Sequence, residues 1–456
     1  MSLINIGYSG AQAARIGMNI TAMNIANAAT PGYSRQRIAQ QTIGPNGSAR
    51  LFSGSGVEVT SVQRIADQFR ISQVWRATTE VNYYDQGQAY LGSLETMIGS
   101  DTTGLGDGLD NFFKSLSGAT GKPDNQAMRQ DVLTEAKSMA LRINNLQKFM
   151  QNQKTDIRQQ QQDMVGNIND MNKSIANFNQ KIREAEAIGG DTSSLRDQRD
   201  ELVKSVSSFV DVRVSENSKG EFTLSLPTGQ PLVSGSDAST LSMVPDANGE
   251  MQMSVNFAGS TYQADMSCGG KLGAIYDYLQ QTLKPMETSL QGIAETMSNA
   301  FNDQLGKGFD LNGDPGKALF NFDASNPDGM LQVTDITWDE LAFSAAKGEV
   351  GNNDNLLEMI KLKTQSYDIP GLGNTSIDNA SASLISTIGI KSRQNQTELD
   401  SAISLVDSAQ MQRDSYSQVD YDEEYVGLTT YMQAYNANMK VISTGDELFN
   451  NLLALF

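Results

Sequence analysis

Residues 421–456 read YDEEYVGLTTYMQAYNANMKVISTGDELFNNLLALF. Tyr421, Leu428, Tyr435, Ile442, Phe449 and Phe456 recur every seven positions. Tyr425, Met432, Met439 and Leu453 follow four positions behind, and only Asp446 interrupts that second row. Spacings of seven and four put apolar side chains on one stripe of a helix, the pattern of a coiled-coil seam. Tyr431, Val441, Leu452 and Leu455 fall off it. The opposite terminus carries a small-residue counterpart: Leu3, Gly10 and Gly17 in one row, Ile6, Ala13 and Ile20 in another, with Ile4, Ile16 and Met23 outside. Glycine costs about 1 kcal/mol in a helix interior relative to alanine, so two on one row predict the close approach of another helix. The terminal helices are therefore expected to pair with each other. Their surplus apolar surface is expected to pack in an assembly, or to stay disordered until assembly. The plainer alternative is two amphipathic helices docked on a central domain.

Between these ends, proline is missing from Pro123 to Pro227 and after Pro370, and both spans read as long helices. In the first, Ala136, Ile143, Met150, Ile157, Met164, Met171, Phe178 and Ala185 repeat every seven residues, with Ile168, Ile175 and Ile182 as a second row. That row turns polar at Lys154 and Gln161, and Gly189-Gly190 ends the pattern. A continuous helix over residues 125–188 would extend about 90 Å at 1.5 Å per residue, so an elongated molecule is expected. A further helix is expected over residues 191–208. The period then switches to two through Val210, Val212 and Val214, and again through Phe222, Leu224 and Leu226. It returns through Met251, Met253, Val255 and Phe257, after a turn at Asp246-Ala247-Asn248-Gly249. The helical period resumes at Leu272 and runs through Leu305. Residues 306–373 are rich in Gly, Asn, Asp and Pro, with a short strand at Leu331 and Val333 and a short helix near Leu356, and a final helix starts near Ile377.

The fold class is accordingly mainly α with a β insertion: a multidomain chain of terminal coiled-coil-like helices, a long-helix bundle and a small all-β domain. The expected division is residues 1–50 with 416–456, residues 51–209 with 269–415, and residues 210–268. A length of 456 residues supports this, since single cores stop growing near 250–300 residues.

Composition removes whole classes of function. Lys and Arg total 34 against 53 Asp and Glu, a net charge of −19, which disfavours attraction to nucleic-acid phosphate or anionic lipid. The chain has no histidine, so histidine general bases, Ser-His-Asp triads and His-ligated zinc are excluded. One cysteine, Cys268, permits no intramolecular disulfide and no CxxC pair. The first residues carry no basic segment ahead of an apolar run, which does not fit a cleavable secretory signal.

After the N-terminal helix comes Asn24-Ile25-Ala26-Asn27-Ala28-Ala29-Thr30-Pro31-Gly32-Tyr33-Ser34-Arg35-Gln36. Asn27 and Thr30-Pro31-Gly32 are helix-stop chemistry, because Pro31 bars continuation and Gly32 can take positive φ. The whole stretch resembles the signature of the bacterial flagellar axial proteins, the family of rod, hook and hook-associated subunits, with the Thr-Pro-Gly-Tyr-Ser-Arg form closest to the hook-associated members. Val419-Asp420-Tyr421-Asp422-Glu423-Glu424-Tyr425 and Tyr431-Met432-Gln433-Ala434-Tyr435-Asn436-Ala437-Asn438 are similar to the family's C-terminal signature. Met432 and Asn438 stand where the family often has Gln and Ser. Gly269-Gly270-Lys271-Leu272-Gly273 and Gly308-Phe309-Asp310-Leu311-Asn312-Gly313 follow in the family's order, so the resemblance covers essentially the whole chain.

The resemblance implies a structural, non-enzymatic subunit at the junction of hook and filament. It would be made in the cytoplasm, exported unfolded by the flagellar type III apparatus and located in the extracellular flagellum. It implies self-assembly into a ring or helical layer, contact with the hook protein and a second junction protein, FlgL, and an export chaperone, FlgN, on the C-terminal helix. Tyr33, Arg35 and Gln36 are the implied subunit contacts. Tyr33-Ser34-Arg35 and the long helix argue against the neighbouring possibility, another hook or rod subunit. From a different class, a glycan-processing enzyme with two carboxylates needs no histidine, but nothing selects a pair.

Other motifs carry plainer readings, and no cofactor is expected. Asp310-Leu311-Asn312-Gly313-Asp314 starts like a calcium loop but has Pro315 and Asn321 where Gly and Glu are required, so a turn is expected. Asp420, Asp422, Glu423 and Glu424 fit a helix N-terminus better than a metal or catalytic pair. Gly104 to Gly108 lacks the lysine of a phosphate loop, Cys268 is expected to pack as a small hydrophobe, and Gln159 to Gln162 to form a solvated helix face.

Overall fold

The computed structural model describes residues 3–44, 56–100, 104–247, 250–326 and 329–454. Leu455, Phe456 and the Asn248-Gly249 part of the expected turn lie outside the described residues. In chain order the elements are α1 (Leu3–Asn27), β1 (Gln36–Thr42), β2 (Val57–Arg64), α2 (Gln68–Gly99), α3 (Leu105–Ala119), α4 (Gln126–Ala187) and α5 (Ser193–Phe209). Strands β3 (Arg213–Glu216), β4 (Phe222–Ser225), β5 (Pro231–Ser234), β6 (Asp237–Ala238), β7 (Thr240–Pro245), β8 (Met251–Phe257) and β9 (Ser260–Ala264) follow. Then come α6 (Gly270–Tyr278), a π-helical turn (Leu279–Leu283), α7 (Lys284–Leu305), β10 (Phe320–Phe322), β11 (Leu331–Val333) and α8 (Asp354–Lys361). The chain closes with β12 (Ser366–Ile369), β13 (Gly373–Ser376), α9 (Ile377–Ser417) and α10 (Tyr421–Leu453). It is mainly α with β segments, as the periodicities require.

The chain divides into two compact units. The first comprises Met1–Asn82, Met164–Gly270 and Ser401–Phe456, and the second Tyr83–Asp163 and Lys271–Asp400. In the first unit α1 lies antiparallel to α10, and β1 and β2 form an antiparallel hairpin with a bulge that leaves Thr60 unpaired between Ser61 and Val59. The strands after α5 form two antiparallel sheets, ordered β3-β4-β5-β6 and β7-β8-β9. Small sheets cannot bury a face on their own. Here α4 supplies the cover: Asn179 Nδ2 donates to the carbonyls of Phe222 and Gly235, both at 2.8 Å, and Asn169 Nδ2 to that of Leu241 at 2.8 Å. Behind them Ile168, Ile175 and Ile182 are fully buried, and Trp75 meets Phe222 edge-on at 6.1 Å. The Arg199 guanidinium stacks 3.3 Å above the same Phe222 ring and donates to Asn179 Oδ1 and the Gly220 carbonyl.

The second unit is built on aromatic packing. Phe112 and Phe113 of α3, Phe301 of α7 and Phe320 of β10 meet at ring-centroid distances of 5.1 to 6.0 Å. Arg129, buried on α4, organises the irregular chain after β11: its Nη1 donates to the carbonyls of Leu341 at 2.7 Å and Trp338 at 3.1 Å, and its guanidinium lies over Phe343 at 4.4 Å. Asp310 Oδ1 accepts the N–H groups of Asn312 and Asp314, both at 2.8 Å, which makes the calcium-like stretch a turn with Gly313 at φ +80.

The structure differs from the expected organisation in four respects. Residues 36–42 and 57–64, placed in helical segments, are strands; the bulge at Thr60 breaks the alternation of Val57 and Val59 from Val62, so the period-two signal is short on each side. The β segment falls in the same compact unit as both termini, because α4 and α5 cover its sheets, while the rest of α4 packs in the other unit. Hairpin β12-β13 stands in the stretch read as loop, its residues being too polar to signal a strand. Gln161 is buried instead of solvated.

Phe301 touches all three other rings of its cluster, so Phe301→Ala removes a fully buried side chain from the centre of a packed group. A loss of about 3–5 kcal/mol is expected in denaturant unfolding followed by a probe within the second unit.

Candidate functional site

The signature that follows α1 is a turn that brings the chain back onto the helix it has just left. Asn27 Nδ2 donates to the Met23 carbonyl at 3.0 Å, and the Thr30 N–H to the Asn27 carbonyl at 2.9 Å, closing the helix end. Pro31 cannot continue it, and Gly32 turns at φ +79 with the Glu201 side chain laid where a Cβ would stand. Ser34 to Gln36 then run beside the last turns of α1. Asn24, 1% exposed, fixes that return. Its Oδ1 accepts from the Gln36 N–H at 3.0 Å and the Tyr33 hydroxyl at 2.9 Å. Its Nδ2 donates to the Gln36 carbonyl at 2.9 Å and to Glu424 Oε2 at 3.0 Å. All the hydrogen-bonding capacity of one buried amide is thereby used.

Glu424 belongs to the first turn of α10, so the last of these bonds joins residues 400 positions apart. Its other oxygen accepts from Arg35 Nε at 2.6 Å, and Arg35 Nη1 pairs with Glu423 at 2.5 Å. The Arg35 N–H donates to the Ser417 carbonyl at 2.9 Å, just before α10 begins. Asp420 caps α10, its Oδ1 accepting the N–H groups of Asp422 at 2.8 Å and Glu423 at 3.2 Å. The four acidic residues thus serve the helix start as expected, and two of them also hold the N-terminal signature. A third anchor comes from α5: Asp197 Oδ2 accepts from the Ser34 N–H at 3.0 Å, while Arg64 of β2 pairs with Asp197 at 3.0 Å and Asp200 at 2.7 Å.

Electrostatics follow from this packing. Burial, with the carboxylates of Asp197 and Glu424 nearby, pushes the Tyr33 phenol up to about 12. Burial acts to lower the Arg35 guanidinium, but its bonds to Glu423 and Glu424 outweigh it and hold the group above its usual value. Asp197 and Asp200 are raised by burial in spite of Arg64.

Along α1 and α10 the seam is made by glycines facing large side chains. A Cβ on Gly17 would lie 2.6 Å from the Tyr431 ring, and one on Gly10 would lie 2.4 Å from Asn438 Oδ1. At the far end Gly7 faces Ile442, and Gly445 of α10 receives Ile4. The row of α10 that meets α1 is therefore Glu424, Tyr431, Asn438 and Gly445, together with half-buried Leu428, Tyr435 and Ile442. This corrects the second row read from the sequence. Tyr425, Met432, Met439 and Leu453 lie four positions after members of the first row, one position past the row that meets α1, and all are exposed, as are Tyr421 and Phe449. Apolar character alone chose +4 over +3, because the true +3 row contains Glu, Asn and Gly. Phe456 lies outside the described residues.

The N-terminal candidates also separate. Ser34 and Gln36 are buried; Ile25, Asn27, Gly32, Tyr33 and Arg35 are half-buried; Thr30 and Pro31 are exposed. Tyr33 and Arg35, read as contacts to other subunits, are engaged within the chain. Arg64, Asp197, Tyr431 and Asn438 are site residues that sequence reasoning missed. For Tyr431 the signal existed, since it follows Leu428 by three. For Asp197 there was none, because its partners are more than 130 positions away. Among the described residues, no cluster of acids and cysteine could hold a metal ion, and no helix is long and apolar enough to cross a membrane.

Comparison with known proteins agrees with this layout. The family model described as flagellar hook-associated protein FlgK helical domain matches residues 91–320, just over half the chain. Residues 4–33 match the flagella basal body rod protein model, and residues 412–455 the flagellar basal body rod FlgEFG protein C-terminal model. Flagellar hook-associated protein 1 of Salmonella typhimurium is 26% identical over an alignment of 553 residues covering 99% of both chains. Its Bacillus subtilis counterpart is 25% identical, covering 96% of this chain and 94% of its own. The solved structure of the flagellar hook junction protein FlgK from Burkholderia pseudomallei aligns with a TM-score of 0.67 at 15% identity, over 75% of this chain and all of that one. That likeness is one of fold.

Two outcomes are expected. Gly17→Leu drives a side chain into the Tyr431 ring and lowers stability by about 1–3 kcal/mol, and Tyr431→Ala in the same chain recovers part of that loss, measured as a double-mutant cycle in urea. The Tyr33 phenol is higher in the folded than in the unfolded chain, where it is about 10. Its stabilising effect is therefore complete below pH 10 and lost as pH rises through about 12. Ultraviolet difference titration of the native chain against Tyr33→Phe should place the missing phenol's step near pH 12.

Proposed function

The chain belongs to the family of the flagellar hook-associated protein FlgK, and on that premise we propose that it is a structural, non-enzymatic subunit at the junction between hook and filament. The observation that carries the reading is the joining of the two signatures: Asn24 and Arg35 hold Glu424, and α1 lies along α10 with a row of exposed apolar residues turned away from the seam. Tyr421, Tyr425, Met432, Met439, Phe449 and Leu453 form a surface that favours burial against other molecules over exposure to water. In this proposal residues 1–50 and 416–456 supply the inner packing layer of a ring or helical array. The rest of the chain sets outward contacts, to the hook protein on one side and to the second junction protein FlgL on the other. The subunit is made in the cytoplasm, travels unfolded through the type III export apparatus and resides in the extracellular flagellum. FlgN escorts it by covering the apolar row of α10.

The FlgK helical-domain match over residues 91–320 favours this over a hook or rod subunit, whose family models match only the ends. Electron microscopy of a deletion strain separates the two, with hooks lacking filaments for a junction subunit and missing hooks for the other. Deleting residues 435–456 should abolish both chaperone binding and incorporation. A truncated chain that still joins filaments to hooks would sink the proposal.

A further inference from the structure

Helix α6 passes into α7 through the π-helical turn Leu279–Leu283, in which the Lys284 N–H reaches the Leu279 carbonyl five positions back. The backbone stays helical through Leu283 and Lys284 and then meets Pro285. Proline has no N–H, and its ring crowds the carbonyl four positions behind it, here that of Gln281. Inside a helix this combination bends the axis and takes from that carbonyl its α-helical donor. A side chain from another helix supplies one. Lys391 of α9 donates through Nζ to the Gln281 carbonyl and, at 3.2 Å, to Thr282 Oγ1. Burial lowers the Lys391 ammonium below its usual value, so holding it there has a cost that these oxygen partners offset.

The surroundings hold α9 in place and leave the turn room to move. Asn395, one turn further along α9, donates to the Tyr84 carbonyl at 2.8 Å and to Gln88 Oε1 at 2.9 Å, so α2 grips α9 independently of the bend. Between α2, the π-turn and α9 lies a cavity of about 290 Å³, walled by Tyr83, Tyr278, Thr282 and Lys391. A close-packed interior resists any change of helix angle, and the cavity removes that resistance on one side. We infer that the π-turn is a hinge and that Lys391 is the clasp that holds it, giving the Gln281 carbonyl the donor that Pro285 withholds. With the clasp engaged, α6 and α7 keep one angle and the cavity one shape. With it released, the turn opens and the angle is free to change. All the groups involved belong to the second unit, so the hinge is independent of the assembly proposed above.

Amide hydrogen exchange on the full-length chain tests the dependence of Lys391 on Pro285. Lys391→Met keeps an unbranched side chain and removes its donors. The amides of residues 279–284 and 286 should then exchange about tenfold faster, while those around Phe112 and Phe301 keep their original rates. Pro285→Ala returns an N–H to the helix, and in that background the same lysine substitution should change exchange by less than about twofold. Equal acceleration in both backgrounds, acceleration spread evenly over the second unit, or no acceleration at all overturns the inference.

Discussion

One carboxylate ties the two ends of the chain together. Glu424 is buried, and a buried charge is tolerated only where its lone pairs are taken up by donors. Arg35 and Asn24 take them up, and each is committed elsewhere: the Arg35 backbone to Ser417, and Asn24 to both main-chain groups of Gln36 and to Tyr33. Position 424 therefore fixes the register of α10 against α1, the direction in which the chain leaves α1, and the start of the β1-β2 hairpin. Asp197, Asp200 and Arg64 extend the same network to α5.

From that anchor the helix pair runs on through small residues. Glycine at positions 10 and 17 lets Asn438 and Tyr431 lie directly on the α1 backbone, so the seam is narrow and uses few of the apolar residues of α10. The remainder, from Tyr421 to Leu453, stays on the surface. An apolar row of that length has a physical use only when something covers it, which is why the pairing of α1 and α10 supports an assembling subunit more than a docked hairpin. The acidic excess of the chain fits the same picture, since net charge keeps free subunits with such a surface apart in solution.

Much of this was legible in the residues, and the failures are instructive. Seven-residue spacing from Ala136 to Ala185 locates α4, and the alternation at Val210 to Leu226 and Met251 to Phe257 locates sheets, because burial on one face imposes those periods. The glycines of α1 announced a close partner. The +3 row of α10 stayed hidden because a seam built on glycine contacts can bury Asn, Glu and Gly, which no apolar pattern marks. The β1-β2 hairpin stayed hidden behind its bulge. Arg64, Asp197 and Asp200 meet only through tertiary folding, and a pattern within a local window cannot contain them.

The bond between Asn24 and Glu424 closes a loop of nearly the entire chain. Bringing such distant ends together costs chain entropy that grows as 1.5 RT times the logarithm of the loop length, about 5 kcal/mol for this separation before any constant. Contacts of this kind form late, after nearer ones have shortened the path. A polypeptide is made from its amino end, so the first half of this latch exists long before the second. Until Glu424 is made, Asn24 and Arg35 lack the carboxylate they share, and α1 lacks its partner. The order of residues along the chain thus acts as a clock: the pair of α1 and α10 is completed last, where the chain's tail arrives.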